Sequence, residues 1–342
     1  MIADRITGLS LELSSRCQLQ CPLCLRRAIS PDYPSETMAP EVLSALLPYL
    51  AEMDSLDLTG WGEPLLHPQF NSFLEQIRAH FSGRLSFTTN GLLFRPEHME
   101  AVVRHGLDVV CFSIDAARAE SYGRVRPGGD FNRLLKILAE LLAERDRRKS
   151  SRPQVFALFL LRREALEELP EFVRLMQSLG LNGVVFQQLA GVFSEDHLSR
   201  ITYTEYYRTD FDPARLEQSL SRARAEAKPG FIVAGPERVR RDRVHGCGGF
   251  DLSKPFVTAG GEVSVCCAMA YPVSLMRSSG ENVFTPSKTF GRVTETPLPR
   301  IWQNPELIAI RRQILAGENP AACADCIGLH LAPGPSGQGP AK

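Results

Sequence analysis

The chain has 342 residues, 44% of them hydrophobic, which is enough to build a substantial core as one large domain or one large and one small domain. Its 39 basic residues balance its 39 acidic residues, which excludes the strongly basic composition of nucleic-acid-binding proteins. It has no run of about 18 apolar residues and no signal-peptide layout, so we expect a cytoplasmic protein without a membrane span.

The first 190 residues alternate between short apolar runs and amphipathic helical patterns. Strands are predicted near residues 9–13, 55–59, 84–89, 108–114, 155–161 and 183–187, and helices near 40–53, 69–81, 96–105, 131–147 and 165–179. This alternation predicts a parallel sheet of βα units, either an open doubly wound sheet or a barrel. In both folds the functional residues lie at the carboxyl ends of the strands.

The first four predicted strands are each followed by cysteines or polar residues. Because the carboxyl ends of parallel strands meet at one edge of the sheet, these residues are expected to form one site. In chain order they are Cys17, Cys21 and Cys24, then the segment TGWGEP at 59–64, then Asn90 and Gly91, and finally Ser113 and Asp115.

The first cysteine group has the spacing C-x₃-C-x₂-C and supplies three thiols, one fewer than a tetrahedral zinc site or a cubane iron–sulfur cluster usually takes. A zinc knuckle would need a fourth ligand nearby, and the next histidine, His67, lies in the second loop. A cubane with three protein ligands leaves one iron open to bind a substrate or cofactor. The spacing alone leaves both interpretations open.

Together and in this order, the four motifs resemble those of the radical S-adenosylmethionine (SAM) enzymes, over roughly residues 5–190. The resemblance implies an α/β fold, a partial (βα)₆ TIM-like barrel, and a catalytic [4Fe–4S] cluster held by Cys17, Cys21 and Cys24. It implies that SAM completes the cluster through its amino and carboxylate groups. Reductive cleavage of SAM then gives a 5′-deoxyadenosyl radical, which abstracts hydrogen from the substrate. A flavodoxin- or ferredoxin-type protein is the implied reductant.

The resemblance also assigns the second loop to SAM. Gly62, Glu63 and Pro64 are similar to the family's GGEP motif, which holds the SAM amino group. Trp61 stands where the family often has Gly, but Gly60 and Gly62 still leave room for the backbone to approach a ligand. Taken singly, each motif also has an ordinary interpretation as a loop, a turn or a helix cap.

Five further residues are implied to lie close to SAM. Asn90 borders the site after the third strand, and Leu23 packs near the adenine. Ser113 and Asp115 contact the ribose. Arg126, in the segment RVRPGG, is either a partner of the SAM carboxylate or a solvated arginine.

Side chains alternate between the two faces of a strand, so residues of like parity share the inner face of a barrel. Cys111 has the parity of the polar residues that end strand four, and its thiol is either a hydrogen donor to a radical or a buried core cysteine. A carboxylate or amide that points into the barrel costs free energy unless it is hydrogen-bonded, paired with a charge or hydrated. We therefore assign Gln187 to SAM, and Glu12, Asp57 and Gln188 to the substrate.

Residues 191–246 are polar, with one helix predicted near 213–227, and are expected to connect two domains. From Cys247 onward, KPFVTAGGEVSVCC predicts a β-hairpin with a Gly-Gly turn. A helix is predicted over 298–316 with Gly317 as its stop, and residues 331–342 are predicted to be a disordered tail. The expected units are therefore 1–190, 191–246, 247–330 and the tail.

The second cysteine group has the layout C-x₁₃-G-x₄-C followed by C-x₂-C, which on its own is typical of a zinc ribbon. Next to a radical SAM core, it resembles the SPASM and twitch extensions, which carry auxiliary [4Fe–4S] clusters. No cysteine follows Cys326, so the resemblance implies a single auxiliary cluster, as in the twitch form. Its ligands would be Cys247, Cys266, Cys323 and Cys326, with Cys267 as the alternative to Cys266.

The sequence thus predicts a radical SAM enzyme with two [4Fe–4S] clusters and SAM. The auxiliary cluster is expected to accept an electron from the substrate radical or to anchor the substrate. The resemblance implies oxidation of a small polyol or aminosugar, or modification of a peptide or protein side chain. Cys17 lies so near the start that we expect no leader-binding domain before it, which favours a small molecule or a peptide presented by a separate protein. The alternative is a zinc-binding interaction protein with a degenerate barrel.

Overall fold

One mostly parallel sheet organises the computed structural model, which describes residues 5–31, 33, 35–244, 246–323 and 326–332. Six parallel strands pair in chain order, as a series of βα units requires. They are β1 Gly8–Leu11, β2 Ser55–Asp57, β3 Arg84–Thr89, β4 Val109–Ser113, β5 Gln154–Leu160 and β6 Gly183–Gln187. The α/β fold class and the partial barrel predicted from the sequence are confirmed.

Later parts of the chain add strands to both edges of this sheet. The later strands are β7 Ile232–Ala234, β8 Arg238–Val239, β9 Phe256–Val257, β10 Val263–Ser264, β11 Val273–Met276, β12 Asn282–Thr285 and β13 Leu331–Ala332. β7 pairs parallel with β6, and β9 pairs parallel with β1. The hairpin β9–β10 is antiparallel, as predicted, and the complete order is β10-β9-β1-β2-β3-β4-β5-β6-β7.

Helices cover the outer face of the barrel strands. They are α1 Pro40–Leu50, α2 Phe70–His80, α3 Pro96–Arg104, α4 Ala119–Val125, α5 Phe131–Arg147 and α6 Leu169–Ser178. The helix predicted over 165–179 instead opens as a 3₁₀ turn over Arg163–Glu168, because Pro170 favours a helix start at α6. Within the described residues, every helix is too short or too polar to cross a bilayer.

The two faces of each barrel strand differ in burial. On β4, Val110 and Phe112 are buried in the core that the helices cover, whereas Cys111 and Ser113 are half-buried on the other face. On β6, Gln187 is likewise half-buried and follows a buried residue. Cys111 therefore shares the inner face of the barrel with Ser113, as its parity predicts.

Residues 191–246 do more than connect two units. They form α7 Glu195–Arg200 and α8 Pro213–Ala225, and they supply β7 to the edge of the main sheet. β8 pairs with β13, so residues 331 and 332 of the predicted tail are an ordered strand. The remainder of that tail, residues 333–342, lies outside the described residues.

The helix predicted over 298–316 is two helices, which corrects the sequence prediction. They are α9 Leu298–Trp302 and α10 Pro305–Leu315. The break falls at Asn304, because a residue before proline disfavours helical backbone and its side chain caps α10 at the Glu306 amide, 2.9 Å away. Gly317, with φ of 78°, follows the end of α10 as predicted.

Candidate active site

A cavity of about 220 Å³ lies at the carboxyl ends of the barrel strands. It brings together the loops that follow β1, β2, β3 and β4, as the strand order predicts. Residues that the sequence assigned to the cluster or to SAM line it: Cys17, Cys21, Leu23, Cys24, Gly62, Glu63, Asn90, Ser113, Asp115 and Arg126.

The three cysteines occupy a tight loop at one side of this cavity. Backbone bonds from Cys24 N to Cys21 O, 3.1 Å, and from Arg27 N to Cys24 O, 3.0 Å, fold the loop back on itself. Burial raises the pKa of all three thiols above its ordinary value. Three partly buried and mutually repelling thiolates need a nearby positive charge, which iron would supply.

Nitrogen donors approach two of the cysteine sulfurs. Asn90 Nδ2 lies 3.9 Å from Cys17 Sγ, and Arg126 Nη1 lies 3.9 Å from Cys21 Sγ. Gln18 Nε2 donates to Asn90 Oδ1 at 2.9 Å, which ties the cysteine loop to the loop after β3. Such outer hydrogen bonds orient thiolate ligands and tune the metal that they bind.

The loop after β2 packs directly on the loop after β1. A Cβ added to Gly62 would lie 2.2 Å from Ser14 O and 2.4 Å from Arg16 O, so only glycine fits there. Gly60 is equally crowded by the side chain of Glu12. Pro64 is buried and starts a 3₁₀ turn over Pro64–Leu66.

Glu63 joins the second loop to the third. Its carboxylate accepts from Thr89 Oγ1 at 2.6 Å, from Asn90 N at 2.8 Å and from Leu65 N at 3.1 Å. The side chain is 2% exposed, and burial raises its pKa above the ordinary value. Glu63 thus acts first as a support for the cavity wall, while its loop lines the cavity.

Asp115 holds the opposite wall in a strained conformation. Its φ of 65° is unusual for a residue other than glycine, and such strain is concentrated at functional sites. Its carboxylate accepts from Leu160 N at 2.7 Å and from Arg126 Nη2 at 2.5 Å. Burial is the largest influence on the pKa of Arg126 and would lower it, but the charges of Asp115, Cys21 and Tyr122 together leave that pKa above its ordinary value. Arg126 is therefore a partly buried side chain, 12% exposed and paired with Asp115, rather than a solvated arginine.

Arg162 is a cavity residue that sequence reasoning missed. It is 1% exposed and donates to Leu160 O at 2.6 Å and to Asp115 O at 2.7 Å. Burial lowers its pKa from the ordinary value. A signal was present, because Arg162 directly follows the predicted strand 155–161, at the end where barrel residues act.

The candidate substrate residues do not line this cavity. Glu12 is fully buried and accepts from Trp61 N at 2.7 Å, from Ala259 N at 3.3 Å and from the Tyr271 hydroxyl. Asp57 accepts from Thr59 Oγ1 at 2.6 Å, and Thr59 does line the cavity.

The two glutamines at the end of β6 do not line this cavity either. Gln188 accepts from Thr202 at 2.8 Å and borders a separate cavity of about 640 Å³ near α8. Gln187 ends β6 on the inner face, next to Leu160 of β5 in the register, and Leu160 is a cavity residue. The alternation of side chains along the strand thus predicted correctly that Gln187 lies on the inner face. Gln187 does not line the cavity, however.

Buried residues in and next to the connecting segment pack on the cysteine loop. Leu23 packs with Leu189 and Val192 beside the cavity. His197, which is 1% exposed, bonds through Nε2 to Pro22 O at 2.9 Å. His67, considered above as a zinc ligand, instead bonds to Met38 O at 2.7 Å and accepts from Gln69 N.

The second cysteine group is also brought together. Cys247, Cys266 and Cys323 border one apolar cluster, whereas Cys267 packs in another, against Tyr271 and Trp61. A Cβ on Gly328 would lie 3.4 Å from Cys247 Sγ and 3.5 Å from Cys326 Sγ, so these two sulfurs flank the same glycine. Burial raises the pKa of Cys323 to about 12 and that of Cys266 well above its ordinary value.

The chemistry of both groups suits iron–sulfur clusters, which are held by cysteine thiolates. Both are partly buried, thiol-rich sites whose charge an iron–sulfur core would balance. In the described part of the chain, no three His, Cys, Asp or Glu side chains have the geometry of a single metal-ion site.

Two protein-family models match the chain. The model described as the radical SAM superfamily matches residues 11–184, more than half of the 342 residues. The SPASM model, described as an iron–sulfur cluster-binding domain, matches residues 247–327.

Individual proteins extend this similarity to nearly the whole chain. The tungsten-containing aldehyde ferredoxin oxidoreductase cofactor-modifying protein of Pyrococcus furiosus is 24% identical over 332 residues, 93% of this chain and 86% of that protein. Streptococcus suis SuiB, solved bound to precursor peptide SuiA, has a TM-score of 0.62 at 14% identity, over 97% of this chain and 72% of that one. BtrN, in complex with AdoMet and 2-DOIA, has a TM-score of 0.50 at 15% identity, over 91% and 88%. At such identities these structures show the fold alone.

Proposed function

The chain belongs to the radical SAM superfamily and carries a C-terminal SPASM iron–sulfur domain, and from this we propose that it cleaves SAM reductively to act on a substrate by hydrogen abstraction. The observation that carries the proposal is a single cavity lined by Cys17, Cys21 and Cys24 together with the Gly62-Glu63 loop. The bound cluster and SAM supply the electron and the 5′-deoxyadenosyl radical. The residues of this chain hold both in a dry pocket.

The roles of the protein groups follow from their contacts. Asn90 and Arg126 support the cysteine loop through their contacts to Cys17 and Cys21. We assign the SAM amino group to the loop of Gly62 and Glu63, which the buried Glu63 carboxylate fixes in place. Two cationic side chains, Arg126 and Arg162, line the same cavity and suit the SAM carboxylate. Ser113 and Asp115 lie on the wall that we assign to the ribose.

We further propose that Cys247, Cys266, Cys323 and Cys326 hold one auxiliary cluster, which accepts an electron from the substrate radical or anchors the substrate. The position of Cys266 beside Cys247 and Cys323 supports this ligand set over one with Cys267. A flavodoxin- or ferredoxin-type protein is proposed as the reductant.

The test is anaerobic reconstitution followed by metal analysis. We expect brown protein with about eight iron and eight sulfide per chain, and dithionite-driven release of 5′-deoxyadenosine from SAM. Replacing Cys17, Cys21 and Cys24 together with alanine should leave about four iron and abolish that release. Colourless protein that binds zinc and leaves SAM intact would favour the zinc-binding interaction protein instead.

Two substrate classes remain proposals. SuiB is seen with a precursor peptide and BtrN with 2-DOIA, which supports a peptide side chain or an aminosugar-like small molecule. Incubation with deuterated candidates of each class distinguishes them, because the true substrate transfers deuterium into 5′-deoxyadenosine. A candidate that transfers none is not the substrate.

A further inference from the structure

Trp61 occupies a position that the function described so far does not use. It lies within the motif TGWGEP, where the similar family motif often has glycine. Its side chain lines the cavity assigned to SAM. The role assigned to this loop in binding SAM therefore does not explain why a large aromatic ring lies at this point of the wall.

The indole of Trp61 reaches from this cavity to the second cysteine group. Its Nε1–H donates to the backbone carbonyl of Cys267 at 3.0 Å. Cys267 directly follows Cys266, whose thiol lies with Cys247 and Cys323. One hydrogen bond and the backbone of one residue, Cys267, thus separate a cavity-lining ring from a proposed ligand of the auxiliary cluster.

The chain fixes this ring from several sides. The Trp61 backbone N–H donates to Glu12 Oε1 at 2.7 Å, and the same carboxylate accepts from the Tyr271 hydroxyl. The Tyr271 ring stands edge-on to the indole, with centroids 6.3 Å apart and an interplanar angle of 79°. Tyr33 packs edge-on to Tyr271 at 4.9 Å. The indole is therefore held in one orientation toward Cys267.

A buried tryptophan can pack in this protein without a hydrogen bond from its Nε1–H. Trp302 also lies beside the second cysteine group and is 3% exposed, yet its Nε1 makes no hydrogen bond within the described part of the chain. These are the two tryptophans of the sequence. Their contrast singles out Trp61 as the ring that connects the two sites.

We propose that Trp61 is the electron path between the SAM cavity and the auxiliary cluster, an inference that rests on the proposed function. After hydrogen abstraction, the substrate radical loses one electron through the indole and its hydrogen bond, and a proton leaves the oxidised substrate. The auxiliary iron–sulfur cluster gains that electron. The same path allows the reduced auxiliary cluster to return an electron toward the cavity.

Electron transfer from the reduced auxiliary cluster back toward the cavity can be measured with dithionite and SAM alone. Holoenzyme is reduced with dithionite, freed of excess reductant and mixed with saturating SAM, and samples are frozen at intervals. Electron paramagnetic resonance then follows the reduced auxiliary cluster, while chromatography counts 5′-deoxyadenosine. In the wild type we expect the auxiliary signal to decay as a second 5′-deoxyadenosine per chain appears.

Trp61→Phe keeps an aromatic ring but removes the N–H donor. It should slow the decay of the auxiliary signal and the appearance of the second 5′-deoxyadenosine several-fold, at unchanged iron content. Trp302→Phe is the matched control and should behave as the wild type. In Trp302→Phe, Trp61 is the single remaining tryptophan, and its fluorescence should change when SAM binds. This measurement requires no turnover.

The outcomes separate the two proposals. A wild-type protein that never cleaves SAM, or that shows no auxiliary signal, contradicts the proposed function itself. A Trp61→Phe protein with a wild-type decay rate, or a wild-type auxiliary signal that persists after SAM is added, overturns the electron path only. Loss of auxiliary iron in Trp61→Phe would make the residue a structural support and would also overturn the path.

Discussion

Two adjacent cysteines, Cys266 and Cys267, have different surroundings. Cys266 lies with Cys247 and Cys323 around an apolar cluster that includes Trp302. Cys267 packs with Tyr271, and its carbonyl accepts from Trp61. The two cysteines lie in the turn after β10, where Ala270 N donates to Cys266 O at 3.2 Å, and their different surroundings indicate that one thiol of the pair enters the auxiliary site.

Serine substitutions of these two cysteines therefore have different consequences. We expect Cys266→Ser to lose about four of about eight iron per chain, because a cubane takes four thiolates. Cys267→Ser should retain them and serves as the matched control. Iron analysis after anaerobic reconstitution gives the answer, and equal loss in both variants would contradict the assignment.

At the scale of single residues, the sequence predicted which residues line the cavity better than it predicted the hydrogen-bond partners of side chains. The spacing of Cys17, Cys21 and Cys24 and the strand ends at Ser113 and Asp115 indicated the cavity, because local order along the chain fixes which loops meet. The roles of Glu12 and Gln188 could not be predicted in this way. Parity gives the face of a side chain, but the partners of Glu12 include Ala259 and Tyr271, which only the tertiary fold brings near.

Among the elements, the loops after β1, β2 and β3 form one interlocked wall. Glu63 N donates to Arg16 O at 2.7 Å, and its carboxylate accepts from Thr89 and Asn90. The strand and helix bounds were predictable because hydrophobic periodicity is a local signal. The break at Asn304 and the contribution of β7 were not predicted, since a single capping residue and a strand of three residues are too short to show a periodicity.

Gly62→Ala should disrupt this wall. The added Cβ would meet Ser14 O at 2.2 Å and Arg16 O at 2.4 Å, both of them backbone atoms that cannot swing away. We expect a loss of about 1–3 kcal/mol in the free energy of unfolding, as for other overpacked sites, and weaker SAM binding. Chemical denaturation and SAM titration measure the two effects.

Gly123→Ala is the matched control for that experiment. Gly123 lies on α4, where an added Cβ meets nothing within 4 Å. Alanine there should stabilise the protein by about 0.5–1 kcal/mol, because it restricts the unfolded chain and favours the helix. If Gly62→Ala were as stable as this control and bound SAM normally, the close approach of the two loops would be wrong.

At the scale of the whole molecule, Glu12 joins the N-terminal and C-terminal parts. It follows β1 and accepts from Trp61 in the second loop and from Ala259 and Tyr271 in the later part of the chain. Burial raises its pKa, despite three hydrogen bonds that lower it. The folded protein therefore retains this proton to higher pH than the unfolded chain does.

Glu12→Gln should change how stability depends on pH. A raised pKa in the folded state stabilises the protein fully below the ordinary pKa of 4.5, and that contribution is lost as pH rises through the raised pKa. The melting temperature of the wild type relative to Glu12→Gln should therefore fall as pH increases above that value. Thermal melts across this range test the sign. The exposed Glu75→Gln is the control and should show no such trend, whereas a rising difference for Glu12→Gln would contradict the prediction.

The parallel pairing of β1 with β9 has a consequence for how the protein is made. Thr7 and Ser253, which bond next to this pairing, are 246 residues apart in the sequence. At synthesis rates of about 5–20 residues per second, the outer edge of β1 waits roughly 10–50 s on the ribosome for its neighbour. An open strand edge is a template for aggregation during that time. In the nascent chain, this edge of β1 therefore stays unpaired by β9 until the hairpin that completes the sheet has emerged.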